Sequence, residues 1–421
     1  MLVPPADRPG SAVEDAAPAR VGRLPSLTGL RWIAALLVFG FHAGTMGIVA
    51  EPDLKTVVDR TFTLGLSGVQ FFFILSGFVL VWSARPGEAK RTFLRRRMAK
   101  IYPNHLVMFV AALLVAYGFG DPVNPRAALE NLLLVQAWDP TPGIFYSVNT
   151  VSWSLSCELF FYACLPFALP LIHRAPTGGL WAVIGAVPLF ILALWPAQVL
   201  VPEENRWWFT QIFPVVRSLE FWLGVAAAEL LRRGRWRGPG LGSASVLFLV
   251  TWVVAGNWIR AELWAASLSV AYVLVIVAAA DADVRGLRTP WRTRPMVWLG
   301  EVSFAFYVVH VLVMVTVLRL TGHHGVGVPG WWGPVAVVGL LLVNLALAAL
   351  LHRYVETPMT RRLGPPRAPR RTALPAGTAP SPWAATPEHP RAAEAALVHV
   401  GSSSGRDPDM PRTDAVERPR R

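Results

Sequence analysis

The chain is poor in two things that most soluble proteins have in quantity, charge and cysteine. Only 15% of its 421 residues are charged and 54% are hydrophobic, which argues against an ordinary soluble domain. Its two cysteines, Cys157 and Cys164, lie too far apart on one predicted helix to form a disulfide. We therefore expect neither a disulfide framework nor a metal site, and we interpret both as small core side chains.

Long apolar runs are what the chain has instead. Each is close to the 20 or so residues that a helix needs to cross a bilayer, and the 18 tryptophans fit the enrichment of Trp at membrane interfaces. Ten runs occur, at residues 29–49, 62–82, 101–119, 151–172, 179–200, 211–231, 241–258, 263–280, 297–319 and 332–352. The sequence predicts an all-α polytopic membrane protein, with about ten transmembrane helices around a polar intramembrane cavity.

The two ends of the chain lack this apolar pattern. The N-terminal end is polar and shows no cleavable signal peptide, so we expect the first run to act as an uncleaved anchor. The C-terminal end is rich in Pro, Ala, Ser and Arg, a composition typical of disorder. The predicted organisation is a disordered cytoplasmic segment at 1–23, a transmembrane domain at 24–363 and a disordered cytoplasmic tail at 364–421.

The net charge of +13 is distributed as in a membrane protein rather than a nucleic-acid-binding one. Alternate connections, beginning with the N-terminal segment, hold most of the Lys and Arg residues. The opposite set holds Lys55, Arg60, Arg126, Arg206 and Arg260. The positive-inside rule and the even number of runs then place both termini in the cytoplasm. We expect a multi-pass protein of the plasma membrane, with its basic tail beside anionic membrane lipids.

Ionisable side chains inside the runs are costly in a bilayer and by default mark functional positions. Counting about 1.5 Å per residue along each run places five such groups in one layer. They are His42, Glu158, Arg217, Glu220 and His310. Five groups in one layer indicate a shared polar site.

Arg31 and His42 belong to the same run, eleven residues apart. That spacing is three helical turns plus about 20°, so both side chains project from one face. We expect one cavity, with Arg31 at its cytoplasmic mouth and His42 deep inside.

Other residues of this set also have structural interpretations. Arg31 alone would be a snorkelling anchor, His310 an interhelical hydrogen-bonding residue, and Arg217 with Glu220 a structural ion pair. For His42 we favour a functional role, because it lies deep in the run and shares a face with Arg31.

Two further stretches are rich in polar side chains. In "RTFLRRRMAKIYPNH", Arg97 and Lys100 share a helix face and suit a phosphate, although the positive-inside rule alone explains a basic connection. In "TVSWSLSCELFFY", alternating serines precede Glu158. They form either an interhelical packing surface or a polar functional wall, and we favour the wall.

These elements together resemble the integral-membrane acyltransferase-3 family over nearly all of residues 24–358. The matching motifs, in the order of the family, are "LTGLRWIAALLVFGFH", "GVQFFFILSGFVL", "FLRRRMAKIYP", "WSLSCELFFY", "RSLEFWLGVAAA", "GEVSFAFYVVH" and "RYVETP". The resemblance implies transfer of an acyl group, often acetyl, from acyl-CoA to a hydroxyl of a glycan or a glycosylated natural product.

The resemblance also implies roles for individual residues. His42, Arg31 and Glu158 would be catalytic, and Arg96, Arg97 and Lys100 would bind acyl-CoA. Trp153, Ser154, Ser156, Arg217 and His310 would line the substrate site. The chain departs from the family where Lys100 stands in place of the second arginine of Arg-x-x-Arg, which keeps the charge but loses the fork geometry. It departs again where Leu159 follows Glu158 in place of a second glutamate.

We interpret His42 as the general base on the acceptor hydroxyl, with an acyl-His42 intermediate as the variant. Glu158 would orient His42 or stabilise its charged form. Arg31 would hold donor phosphates with Arg97 and Lys100, or stabilise the developing charge.

The acceptor remains open between a lipid-linked or cell-surface glycan and a macrolide antibiotic glycoside. "RLPSLTGLRWIAALLVFGFHA" is similar to the macrolide-acylating branch, which implies a role in antibiotic biosynthesis. A proton-coupled transporter or flippase would use the same charged layer as a pathway, but no inverted repeat with broken helices is evident. A scaffold protein would not need the charged layer.

Overall fold

Helices make up nearly all of the computed structural model, which describes residues 22–85, 87–259 and 263–364. Its α-helices are α1 Pro25–Thr45, α2 Pro52–Phe62, α3 Ser67–Trp82, α4 Lys90–Phe119, α5 Pro125–Leu132, α6 Pro142–Phe145, α7 Trp153–Arg174, α8 Thr177–Ala197, α9 Arg206–Gln211, α10 Pro214–Arg232, α11 Leu241–Trp258, α12 Trp264–Val284, α13 Arg294–Leu320, α14 Trp332–Leu351 and α15 Thr357–Leu363. A π-helical turn, His352–Glu356, joins α14 to α15. Apart from an isolated bridge between Val49 and Val328, these residues hold no β-structure, and the all-α prediction is confirmed.

Nine helical segments of the described residues are long and apolar enough to cross a membrane. They are Pro25–Thr45, Pro52–Trp82, Lys90–Phe119, Thr150–Arg174, Thr177–Leu200, Leu241–Trp258, Trp264–Val284, Arg294–Leu320 and Trp332–Leu363. The tenth predicted run, 211–231, forms the 19-residue α10, which carries too many charged side chains for this class. Because α10 is largely buried against α3, α7 and α8, it belongs to the interior of the multi-pass bundle.

Helix α4 begins earlier than the sequence predicts. The apolar run starts at residue 101, whereas the helix starts at Lys90 and continues through Pro103. Proline has no N–H to donate to the carbonyl four residues before it, here that of Ala99. The Thr360 hydroxyl of α15 donates to this oxygen over 3.4 Å. The helix therefore continues because a distant side chain satisfies the group that proline leaves unpaired.

Glycines allow the helices around the site to cross with their backbones in contact. A Cβ atom on Gly224 of α10 would lie 1.8 Å from the Ile74 carbonyl oxygen of α3. A Cβ atom on Gly300 of α13 would lie 1.7 Å from the Thr28 carbonyl oxygen of α1. Small residues permit such close approach between membrane helices. These two crossings fix α1, α3, α10 and α13 around the cavities described below.

Both cysteines are free thiols; Cys157 is a buried core side chain, as predicted, whereas Cys164 is only partly buried and the prediction of a core position is wrong for it. The predicted disorder of 1–23 and 364–421 falls almost wholly on residues 1–21 and 365–421, which lie outside the described residues. It therefore stays a prediction.

Candidate active site

Two small polar cavities adjoin each other between α1, α3, α4, α7 and α13. The first, here called the cation cavity, has a volume of about 110 Å³, and its wall includes Arg31, Arg97, Lys100, Glu158 and Tyr162. The second, the middle cavity, measures about 60 Å³ and shares Arg31 and Glu158 with the first. Shared walls make the two cavities parts of one polar space.

A third cavity lies on the far side of the middle one and is rich in aromatic side chains. This tryptophan cavity has a volume of about 200 Å³, and Trp153, Trp207 and Trp264 form part of its wall. It shares Val69 with the middle cavity. Phe41 also lines it, whereas His42, predicted to lie deep inside the cavity with Arg31, lines none of these three cavities. The three cavities therefore run from near the start of α1 to near its end.

Three cations converge on the cation cavity without a carboxylate partner. Within the described residues, no carboxylate oxygen lies within 4.0 Å of the charged nitrogens of Arg31, Arg97 or Lys100. The Nε atom of Arg97 is buried and has no hydrogen-bond partner there. Glu158 lines the same cavity, so one carboxylate faces three positive charges. Such an excess of positive charge attracts an anionic group.

The predicted pairing of Arg97 with Lys100 on one helix face agrees with this arrangement, since both line the cavity. Arg96, predicted to bind with them, points elsewhere. Its guanidinium forms an ion pair with Glu88 at 2.6 Å. One residue along a helix turns a side chain by about 100°, which separates Arg96 from the cavity.

His42 and His310 form a hydrogen-bonded pair. The Nε2 atom of His310 lies 3.2 Å from Nδ1 of His42, which also lies 2.9 Å from the Val38 carbonyl oxygen. His310 Nδ1 lies 2.6 Å from the Tyr307 carbonyl oxygen. Depth counting placed the two histidines in the same layer, and the structure brings them into contact.

These contacts determine where the protons lie on the neutral rings. A carbonyl oxygen only accepts, so Nδ1 of His310 carries the hydrogen and its Nε2 has a lone pair. Nδ1 of His42 then donates to Val38 and towards His310. The lone pair of His42 is left on Nε2, which has no hydrogen-bond partner among the described residues.

Glu158 does not contact His42, as an orienting role would require. Its Oε2 accepts a hydrogen bond of 2.9 Å from the Tyr162 hydroxyl, and it lines the cavities that contain Arg31. Depth counted along straight helices ignores tilt and the length of an arginine side chain, and so it placed Glu158 with His42. The position beside His42 is taken by His310 instead.

The predicted substrate residues of α7 have different surroundings. Trp153 lines the tryptophan cavity and Ser154 the middle cavity. The Ser154 hydroxyl donates to the Val151 carbonyl oxygen over 3.0 Å and lies 2.8 Å from the Tyr307 hydroxyl. Ser156 is buried, and its Oγ has no partner in the described structure. The polar wall predicted for this stretch is thus formed by Ser154 and Glu158.

Arg217 and Glu220 form an ion pair of 3.0 Å, with side chains only 7% and 2% exposed. The Arg217 guanidinium carbon also lies 5.4 Å from the centre of the Phe73 ring. Arg217 lines the tryptophan cavity, but its charge is already compensated. The structural interpretation of this pair therefore agrees with its geometry.

A polar cluster that the sequence did not point to lies behind the cation cavity. Glu356 is buried, accepts a hydrogen bond of 2.9 Å from Asn104 and lies 3.4 Å from His352. Asn104 follows Lys100 by one turn of α4. Glu356 ends the π-helical turn, a conformation frequent at functional sites. The sequence signal that could have pointed to Glu356 is a carboxylate at the end of a long apolar run, in "RYVETP".

Known proteins are similar to this chain over most of its length. A profile of the acyltransferase domain (Acyl_transf_3) matches residues 24–353. The chain is 42% identical to "Acyltransferase MdmB" of Streptomyces mycarofaciens over 89% of its own length and 99% of that protein's. It is 29% identical to "Exopolysaccharide production protein ExoZ" of Rhizobium meliloti over 72% of its length and 91% of that protein's. No solved structure matches.

Proposed function

This chain belongs to the acyltransferase-3 family of membrane enzymes. We propose that it transfers an acyl group from acyl-CoA to a hydroxyl of a carbohydrate-containing acceptor, and the family resemblance favours acetyl. The name of the exopolysaccharide production protein, 29% identical, supports an acceptor of this class. The candidate acceptors are a cell-surface or lipid-linked glycan and a macrolide-type glycoside.

The observation that carries the proposal is the set of unpaired cations in the cation cavity. Arg31, Arg97 and Lys100 face one space with a single carboxylate in its wall. Holding three partly buried like charges together without anions is costly, and a phosphate-bearing donor offsets that cost when it binds. The residues present fit the diphosphate of acyl-CoA, with the arginines as bidentate donors and Lys100 as a point charge.

His42 would act as the base through Nε2. As the acceptor oxygen attacks the thioester carbonyl carbon, Nε2 takes the hydroxyl proton, and the imidazolium is stabilised by the Val38 carbonyl and the lone pair of His310. The C–S bond then breaks, and His42 returns the proton to the leaving thiolate. An ester and free CoA result, with no net proton change. Attack by Nε2 itself, giving an acyl-His42, is the variant.

His310 would position His42. Together with the Val38 carbonyl, His310 accepts from Nδ1 and so keeps the lone pair of His42 on Nε2, as the orienting group does in a catalytic triad. Arg31, in the wall between the cation and middle cavities, would hold donor phosphates with Arg97 and Lys100, because it lies about 16 Å from His42 along α1. Glu158 would hold the position of Tyr162 and moderate the positive charge around the donor.

The tryptophan cavity would receive the acceptor. Its indole rings offer apolar faces, and Gln70, Gln211 and Tyr146 add polar groups to its wall. Convergent polar groups on an aromatic wall are typical of small-molecule sites, and they match a sugar, which has apolar faces and hydroxyl edges. Donor and acceptor would thus approach the middle cavity from opposite ends.

The same arrangement supports the predicted membrane orientation. The cation cavity lies near the start of α1, the end predicted to be cytoplasmic from the distribution of Lys and Arg. A donor from the cytoplasm would reach it directly. We propose a plasma-membrane location with both termini cytoplasmic.

The purified full chain in nanodiscs with radiolabelled acetyl-CoA provides the test. We expect CoA release in the presence of an acceptor such as a macrolide glycoside, and loss of release in His42→Ala. His324→Ala, which changes an outer-loop histidine away from the three cavities, is the matched control. Label retained on the protein would identify the acyl-His42 variant. If the wild type neither binds nor turns over acetyl-CoA or longer acyl-CoAs, the donor assignment is wrong.

A further inference from the structure

A larger cleft lies next to the cation cavity, where α3 and α7 end and α4 begins. It has a volume of about 600 Å³, within the range of ligand sites. Its wall includes Arg85, Lys90, His173 and Arg232, and it is called the basic cleft here.

The basic cleft and the cation cavity are lined by the same elements. On α4, Lys90 and Phe93 face the cleft, whereas Arg97 and Lys100 face the cavity. Their spacing of three, four and three residues places all four on one helix face. The Arg97 guanidinium lies 5.7 Å from the centre of the Phe93 ring, which links the two spaces.

The other two elements repeat this pattern. On α7, Glu158 and Tyr162 face the cavity, and Pro166 and His173 face the cleft. The chain from α3 into the following loop lines the cavity with Ser76 and Val79 and the cleft with Ala84 and Arg85. The cleft is therefore the continuation of the cavity towards the helix ends.

The carboxylates of the cleft are already paired. Glu88 contacts Arg96 at 2.6 Å, and Glu229 contacts Arg233 at 2.9 Å and His173 at 3.2 Å. Within the part of the chain that the structure describes, Arg85 and Lys90 have no carboxylate within 4.0 Å. The Lys90 ammonium instead lies 3.8 Å from the centre of the Phe167 ring. Arg85 and Lys90 can therefore bind an anionic ligand.

We propose that the basic cleft binds the 3′-phosphoadenosine end of acyl-CoA, with Arg85 and Lys90 on the 3′-phosphate. The assignment rests on the proposed function, in which Arg97 and Lys100 hold the diphosphate. Lys90 precedes Arg97 by seven residues, or roughly 10 Å along α4. The nucleotide likewise carries phosphate at two positions of its ribose, the 3′-phosphate and the 5′-diphosphate. The donor then lies along one continuous face of α4.

Acetyl-CoA and acetyl-3′-dephospho-CoA differ only in the phosphate assigned to Arg85 and Lys90, so the test compares them. We expect Arg85→Gln and Lys90→Gln to lower kcat/KM for acetyl-CoA about tenfold or more through KM. Turnover of the dephospho donor should stay unchanged. Arg91→Gln is the matched control, because Arg91 is exposed on the next position of α4 and does not line the cleft. Equal loss with both donors, or no loss, overturns the proposal.

Calorimetry with adenosine 3′,5′-bisphosphate separates this proposal from the donor assignment. We expect binding to the wild type in zwitterionic nanodiscs and about tenfold weaker binding to Arg85→Gln. If acyl-CoA is not turned over but this binding is seen, the proposed function fails and the phosphate site stands. If the variants change only the response to anionic lipid in the nanodiscs, the cleft binds a lipid headgroup and the nucleotide proposal is wrong.

Discussion

Two sets of buried charges on either side of the middle cavity differ in how they are compensated. At the tryptophan cavity, Arg217 has Glu220 at 3.0 Å, and both are almost fully buried. At the cation cavity, Arg31, Arg97 and Lys100 have no carboxylate within 4.0 Å in the described residues. A compensated pair needs no ligand to be stable. An uncompensated cluster favours an anion, so the second set is where a donor is expected to bind.

The largest effect on stability is expected where a buried charge loses its ion-pair partner. Arg217→Leu leaves Glu220 buried without its partner and should lower the free energy of unfolding by about 3–5 kcal/mol. Thermal unfolding in detergent measures the change. The double variant Arg217→Leu/Glu220→Leu should recover most of this loss. A stable single variant with impaired acceptor binding would instead assign Arg217 to the substrate.

The cations of the cation cavity should respond in the opposite way, because removing one of them leaves no carboxylate without its partner. Arg31→Met removes a partly buried charge that has no carboxylate within 4.0 Å among the described residues, so we expect no loss of thermal stability without donor. The value of kcat/KM for acyl-CoA should fall about tenfold or more through KM, because Arg31 would hold a donor phosphate. Lys100→Arg, which keeps the charge, is the conservative control and should retain activity. Destabilisation of Arg31→Met in the absence of donor would contradict the comparison.

The histidine pair yields a prediction of intermediate size. His310→Leu removes one of the two acceptors from Nδ1 of His42 and leaves the Val38 carbonyl; it should lower kcat by up to about 10²-fold, within the range of general-base catalysis, with little change in KM. His310→Gln offers an amide oxygen to the same nitrogen and should recover part of the activity. Equal loss in both variants would exclude the positioning role, and steady-state kinetics on both decides the point.

The smallest effect is expected at the support of α4. Thr360→Val removes the hydrogen bond to the Ala99 carbonyl and should cost about 1 kcal/mol of stability. Thr360→Ser keeps the hydroxyl and should match the wild type in thermal unfolding. Unchanged stability in Thr360→Val would mean that the proline-containing helix needs no outside donor.

The helix faces and the spanning helices could be predicted from the sequence, because both depend only on residues that are close together along the chain. The face shared by Arg97 and Lys100 follows from their three-residue separation, and the apolar runs predict the spanning helices. Tertiary features could not be read in this way. The partner of His42, the position of Glu158 and the path of α4 through Pro103 all depend on side chains from distant helices. Glu356 was missed because its burial follows from a π-helical turn.

The support of α4 by α15 also has a consequence for biogenesis. Synthesis proceeds from the N-terminus, and domains fold as their segments emerge. Thr360 and Glu356, which contact Ala99 and Asn104, leave the ribosome long after α4 has been made. The end of the enzyme that holds the cation cavity is therefore completed late. A chain truncated before residue 356 would insert most of its helices into the membrane and still lack the contacts behind the proposed donor site.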